Sequence, residues 1–150
     1  MDNLTLREAG SEDSAFAYGV KRAAFREYVE QVWGWDEDVQ RRFHEEQFAA
    51  QDVRVIQATG VDVGIMAMVV MSDCVQLNQL FLLPEYQGKG IGRACLSRVM
   101  EEAQRLGLPV RLRVLKVNPR AAAFYRRLGF VRTGATETHE LMEWAGGGNK

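Results

Sequence analysis

With 150 residues the chain is long enough for one domain that buries ~68–70% of its unfolded surface, and too short for two. Hydrophobic residues at 47% and charged residues at 26% are the proportions of a soluble globular protein, which excludes disordered, collagen-like and coiled-coil classes. Nineteen Lys and Arg against 20 acids leave a net charge of -1, so no global field draws nucleic acid or an anionic membrane, and any phosphate recognition is local.

Residues 3–8 alternate polar and apolar and predict a strand, without the basic flank and apolar run of a signal peptide. No apolar run approaches the ~20 residues that span a bilayer. Cys74 and Cys95 lack metal-type spacing, so a cytoplasmic chain with reduced thiols is expected. Ser11 is expected to cap a helix that runs to about Val32, Glu12 and Asp13 suiting its positive end. Trp33-Gly34-Trp35 reads as an aromatic elbow, after which Asp36-Glu37-Asp38 opens a second helix with Val39 and Phe43 on its apolar face. Three antiparallel strands are expected next, 53–58, 63–71 and 75–83, turning at Thr59-Gly60 and Ser72-Asp73 and using Met66, Met68 and Met71 as core filling.

In the third of these strands the alternation slips at Asn78-Gln79 before Leu80-Phe81-Leu82-Leu83. A β-bulge produces such a slip, and so does a strand passing from half-buried to fully buried; both readings stand at this point. The loop Gln87-Gly88-Lys89-Gly90-Ile91-Gly92 then leads into a long helix stopped by Gly107. A strand over 110–117, a helix capped by Asn118 with Pro119 at its first position and stopped by Gly129, and a hairpin of 130–133 and 136–144 around Gly134-Ala135 complete the chain, with 146–150 expected to be disordered. The domain is placed at 1–145.

Three alternating glycines at a strand-to-helix junction let backbone amides converge on a ligand beside a helix dipole, which is anion-site geometry. Lys89 and Arg93 oppose that dipole unless an anion is bound there. Three amides bonded to charged oxygens, at roughly 1.5–3 kcal/mol each, supply about 5–9 kcal/mol gross, enough to anchor a pyrophosphate. A Walker A loop is excluded because Gly90 follows Lys89 where Ser or Thr belongs. The dinucleotide fingerprint fails at Arg93, where its third small residue belongs. A turn that merely starts a helix needs only one of the glycines.

The segment from Leu80 to Gly92 closely resembles the acetyl-CoA-binding motif of the GNAT N-acetyltransferase superfamily, (Gln/Arg)-x-x-Gly-x-(Gly/Ala). Val117-Asn118-Pro119-Arg120-Ala121-Ala122-Ala123-Phe124-Tyr125-Arg126-Arg127-Leu128-Gly129-Phe130 resembles the family's second motif at the usual distance downstream. The resemblance implies an α/β (α+β) fold: a mixed, mostly antiparallel twisted sheet with a V-shaped splay, flanked by about four helices. It implies that Gln87, Gly88, Lys89, Gly90, Ile91, Gly92 and Arg93 hold the diphosphate of acetyl-CoA, the co-substrate, and that Leu80, Phe81 and Leu82 pair with its pantetheine arm. A bulge would open the V for the thioester, and an amide near Leu80 could polarise its carbonyl.

By the same resemblance Asn118 contacts the cofactor, and Tyr125, two turns along one helix face, is the general acid for the departing thiolate. An ordinary cap explains Asn118 equally well, and a place in the core stripe with Phe124 and Leu128 is the other reading of Tyr125. The family's acceptor pocket is lined by its first two helices, which here carry Glu27, Tyr28, Glu30, Trp33, Trp35, Asp36 and Glu37. Acid and aromatic together suit a cationic amine, although the same residues also read as core anchors and solvated surface. The expected activity is direct acetyl transfer to a primary amine, of a small molecule or a peptide, in a ternary complex. The alternative is a non-catalytic acyl-CoA sensor, and a nucleotide-dependent enzyme ranks third. No metal is expected: His44-Glu45-Glu46-Gln47-Phe48 has Phe48 where a second ligand would stand, and His139 is solitary. Neither a nucleic-acid nor a membrane partner is expected; homodimers are common in the family.

Overall fold

The computed structural model describes residues 3–146. One seven-stranded sheet carries the chain, in the order β1(Leu4–Glu8), β2(Asp52–Ala58), β3(Val61–Val70), β4(Val75–Leu82), β5(Val110–Leu115), β7(His139–Trp144), β6(Val131–Ala135). Every neighbouring pair is antiparallel except β4 with β5. Four α-helices flank it among the described residues: α1(Ser14–Trp33), α2(Glu37–Ala50), α3(Ile91–Leu106) and α4(Pro119–Arg127). The expected mixed, mostly antiparallel class is the one observed. The disordered tail expected at 146–150 falls, but for Gly146, outside the described residues.

Alternation in the strands sends side chains into two layers. On one face Val63, Met66, Leu77, Leu112 and Val114 pack against Ile91, Cys95, Leu96 and Val99 of α3, Ala122 of α4 and Phe130. On the other, Ile65, Phe81 and Leu83 meet Phe16, Ala17 and Val20 of α1 and Phe48 of α2. Both cysteines are free and buried, and burial pushes the Cys95 thiol up to about 11, which leaves it no thiolate character at neutral pH.

Several local expectations are corrected. The Ser11 hydroxyl caps nothing: residues 11–13 form a 3₁₀ turn, and the Asp13 carboxylate accepts the Gly10 N–H (2.8 Å) and two Arg7 guanidinium bonds (2.9 Å each), which outweigh a lone hydroxyl. The helix swallows Trp33 and ends at Gly34, whose φ of +78° suits a residue without a Cβ. Val39 and Phe43 stay exposed because α2 turns His44 inward instead, while the Lys21 ammonium lies 5.6 Å from the Phe43 ring centre. Met66 and Met68 fill the core as expected, but Met71 lies beyond the end of β3 and is exposed. β5 stops at Leu115, where Asn118 folds its N–H back onto the Leu115 carbonyl at 2.9 Å. The last hairpin turns at 136–138, with Gly134 and Ala135 inside a bulged β6, because the Thr136 hydroxyl takes the N–H groups of Thr138 and His139.

Two of these contacts carry expected outcomes. His44 is buried, its Nε2 donating to the Ser14 carbonyl at 3.0 Å, and burial lowers its pKa. The unfolded chain then binds a proton near pH ~6.5 that the folded chain refuses, so stability is full above that pH and falls as pH drops below it. His139 contributes with the same sign. Urea titrations between pH 7 and 5 should show a decline that His44→Gln partly flattens. Gly64 sits opposite Leu82, and a Cβ there would overlap the Phe81 carbonyl oxygen. Gly64→Ala should destabilise the protein by about 1–3 kcal/mol in the same assay, through forced separation of β3 and β4.

Candidate functional site

The register of β3 on β4 runs Ala67 to Gln79 and then Met68 to Leu77, so Asn78 is an extra residue in β4. This is the bulge at the predicted phase slip. Its Asn78 amide donates to Gln51 Oε1 at the end of α2 (2.9 Å), which holds the distortion in place. Beyond Val75–Val110 and Gln76–Arg111 the parallel pairing of β4 with β5 ceases. Leu80, Phe81 and Leu82 remain paired with β3 on one side, so half their backbone groups face an open V.

At the mouth of the V stands the glycine loop. Gly88 and Gly90 have φ of +74° and +86°, and a Cβ on either would meet no protein atom within 4 Å, only the open space in front. The N–H groups of Gly88, Lys89, Gly90, Ile91, Gly92 and Arg93 find no backbone acceptor among the described residues; those from Ile91 onward are the orphan donors of the first turn of α3. Gln87 departs from expectation: its N–H is spent on the Pro84 carbonyl (3.2 Å) and its side chain on the Leu82 carbonyl (3.0 Å). It fastens the loop to β4 rather than offering a free amide.

A cleft of about 380 Å³ joins these parts. Of the residues singled out in the sequence, Leu80, Phe81, Leu82, Gln87, Gly88, Gly90, Gly92, Arg93, Asn118 and Tyr125 line it. Lys89 is exposed beside it and in no ion pair among the described residues, whereas the Ile91 side chain is buried in the core, leaving only its amide to the loop. Asn118 caps α4, its Oδ1 accepting the Ala121 N–H at 3.2 Å, which leaves its amide NH₂ available to the cleft. Tyr125 packs edge-on between Phe124 and Phe130 at 5.2 and 5.6 Å. Burial raises its phenol pKa to about 12, so the group is a proton donor throughout the neutral range.

The acceptor side is where expectation and structure diverge. Only Tyr28 of the named set borders the cleft; Glu27, Glu30, Trp33 and Trp35 do not. Glu30 pairs with Arg26 (3.5 Å) on the exposed face of α1. Trp35 donates to Glu37 (2.9 Å), and Glu37 also takes the Tyr18 hydroxyl (2.7 Å), so the elbow is an internal polar knot. Trp33 is exposed and leans on the His139 ring, 6.2 Å between centres. In their place the fold supplies Ala24, Phe25, Asn78, Gln79, Arg113 and Leu115, while Arg120 and Arg127 border the cleft from α4. Arg120 and Arg127 were legible, being seven apart on one helix face; Arg113 showed only as a charge alternating with Leu112 and Val114.

The guanidinium groups of Arg93, Arg120 and Arg127 and the free amides fit a polyphosphate ligand, and no three His, Cys, Asp or Glu side chains gather among the described residues. The profile of the acetyltransferase (GNAT) domain matches residues 46–132. An uncharacterized N-acetyltransferase of Mycobacterium tuberculosis is 40% identical over 78 residues, 50% of this chain and 49% of that protein. The chain thus spans half or less of the length of the curated relatives it matches. Among solved structures, the PaiA N-acetyltransferase of Thermoplasma acidophilum in complex with coenzyme A superposes with a TM-score of 0.77 at 19% identity, over 94% of this chain and 98% of that one. The ribosomal-protein-S18-alanine N-acetyltransferase of Escherichia coli gives 0.71 at 22% identity, over 94% and 92%. With the domain profile spanning more than half of its residues and the splayed sheet and glycine cradle in place, the chain belongs to the GNAT acetyltransferase family.

Proposed function

We propose that this protein transfers the acetyl group of acetyl-CoA directly to a primary amine, with both substrates bound together. One observation carries the reading: the cradle of free amides at 88–93, the open edge of β4 and the Tyr125 phenol all border the same cleft. The amides and Arg93, Arg120 and Arg127 hold the phosphates, and the edge of β4 pairs with the amide-bearing arm as an added strand would. A β4 N–H near Leu80 stabilises the oxyanion as the amine attacks the carbonyl carbon. As the carbon–sulfur bond breaks, Tyr125 gives its proton to the sulfur, and the amine's surplus proton leaves to solvent. The high pKa of Cys95 argues against an acyl-thiol intermediate on the chain. The coenzyme A complex of the T. acidophilum neighbour supports the choice of donor.

Calorimetry with coenzyme A against ATP and NAD tests the cradle, with binding expected for coenzyme A alone. A thiol-release assay over an amine panel tests transfer. Binding without turnover toward any amine would replace the enzyme by an acyl-CoA sensor.

A further inference from the structure

The charge around the cleft is one-sided. Arg93, Arg113, Arg120 and Arg127 border it, and among the described residues no Asp or Glu does. The acids nearest in sequence to its α1 wall are otherwise disposed: Glu27 is exposed, Glu30 is held by Arg26, and Glu37 by Tyr18, Trp35, Arg22 and Arg41. A polycationic acceptor would enter this cleft against like charge.

The four arginines divide by position. Arg93 opens α3 beside the glycine loop, and Arg120 and Arg127 lie on α4 with Asn118 and Tyr125, so all three belong to the phosphate wall. Arg113 stands on β5 instead. Counting on from the Gln76–Arg111 pair, it is level with the bulge residue Asn78 on the far side of the V, where Ala24, Phe25 and Tyr28 of α1 also border the cleft. Arg111, two residues earlier on the same face, is saturated by Glu143 (2.7 Å) and Asp73 (3.1 Å). Arg113 faces Leu141 across the β5–β7 ladder and takes part in no ion pair among the described residues. Its charge is felt by His139, whose pKa is lowered by burial first and by Arg113 second. An exposed guanidinium with five donors, bordering a cleft that no carboxylate of the described residues lines, suits a planar anion.

We propose that Arg113 binds a carboxylate of the acceptor, so that the amine acetylated here belongs to a molecule carrying a carboxylate close by, an amino acid or an acidic peptide. This rests on the acetyltransferase reading of the same cleft, and names its substrate class. Charge-assisted bonding of this kind should be visible as about a tenfold to hundredfold preference in affinity.

The test is calorimetric titration of the protein saturated with coenzyme A, which needs no turnover. Amino acids are compared with their decarboxylated amines, and C-terminally amidated dipeptides bearing Asp with those bearing Asn; the two arms distinguish a free amino acid from a peptide. Carboxylate-bearing amines should bind about tenfold or more tighter. Arg113→Gln should remove the preference and Arg113→Glu reverse it toward diamines, with coenzyme A affinity unchanged in both. Equal or tighter binding of the decarboxylated amines, a preference that survives Arg113→Gln, or no binding of any carboxylate-bearing amine would each overturn the proposal. Loss of the acetyltransferase reading looks different: coenzyme A itself would fail to bind the wild-type protein, or no amine would be acetylated.

Discussion

Gly90→Asp should abolish coenzyme A binding while leaving the fold intact. Gly90 adopts φ +86° and ψ 0° at the start of α3, and the space its Cβ would fill is empty of protein. Aspartate enters the left-handed region more readily than most residues, so the substitution strains the loop by about 1–2 kcal/mol, which a domain of ordinary stability withstands. Its carboxylate would nonetheless project where the free amides converge. One negative charge ~4 Å from one phosphate charge costs about 4 kcal/mol at an effective dielectric of 20, roughly a thousandfold in Kd. Gly60→Asp is the matched control: Gly60 has φ +79° and equally open surroundings, but sits in the β2–β3 turn. Calorimetry should find no heat with the first variant and wild-type affinity with the second. Equal binding by both would mean that the loop holds no diphosphate.

The second large effect is expected at Tyr125. Phenylalanine there keeps the contacts with Phe124 and Phe130 and removes only the hydroxyl. A thiolate whose conjugate acid has pKa ~8.5 leaves poorly without a proton, and general acid catalysis is worth typically ~10²–10⁴-fold. Tyr125→Phe should therefore lower kcat by about that factor with coenzyme A affinity unchanged. Because burial lifts the phenol to about 12, Tyr125 should cause no alkaline fall in kcat near pH ~10, where an ordinary tyrosine ionises. Stopped thiol-release assays across pH check both points; wild-type turnover in the variant would remove the acid role and leave the side chain as packing.

How much of this was legible beforehand depends on how local each feature is. A bulge announces itself as a lost alternation because the two-residue period of a strand belongs to the backbone itself, and the slip at Asn78 lies where β4 leaves register with β3. Glycines 88 and 90, the Asn118 cap and Pro119 are likewise short-range chemistry, each readable from a residue and its neighbours. The acceptor wall was not readable in that way. Glu27, Glu30, Trp33 and Trp35 were implied by the family's use of its first two helices, but Glu27, Glu30 and Trp33, each three residues from the next, share an exposed stripe of α1, Trp35 lies beyond the helix end, and the stripe that reaches the cleft carries Ala24, Phe25 and Tyr28.

By itself the sequence determined the strand and helix periods, the glycine loop, the phase slip at Asn78-Gln79 and the tyrosine two turns beyond the cap, while the register of β4 on β3 decided that the slip is a bulge. Tertiary structure alone decided that β7 inserts between β5 and β6, that α2 buries His44 and leaves Val39 and Phe43 outside, and that Arg113 borders the same cleft as Asn78 with no acidic partner among the described residues. The physical reason is range. Dihedral preference and hydrogen-bond capping act between residues a few positions apart, whereas the charge lining a cleft is set by which distant strands and helices the sheet brings together.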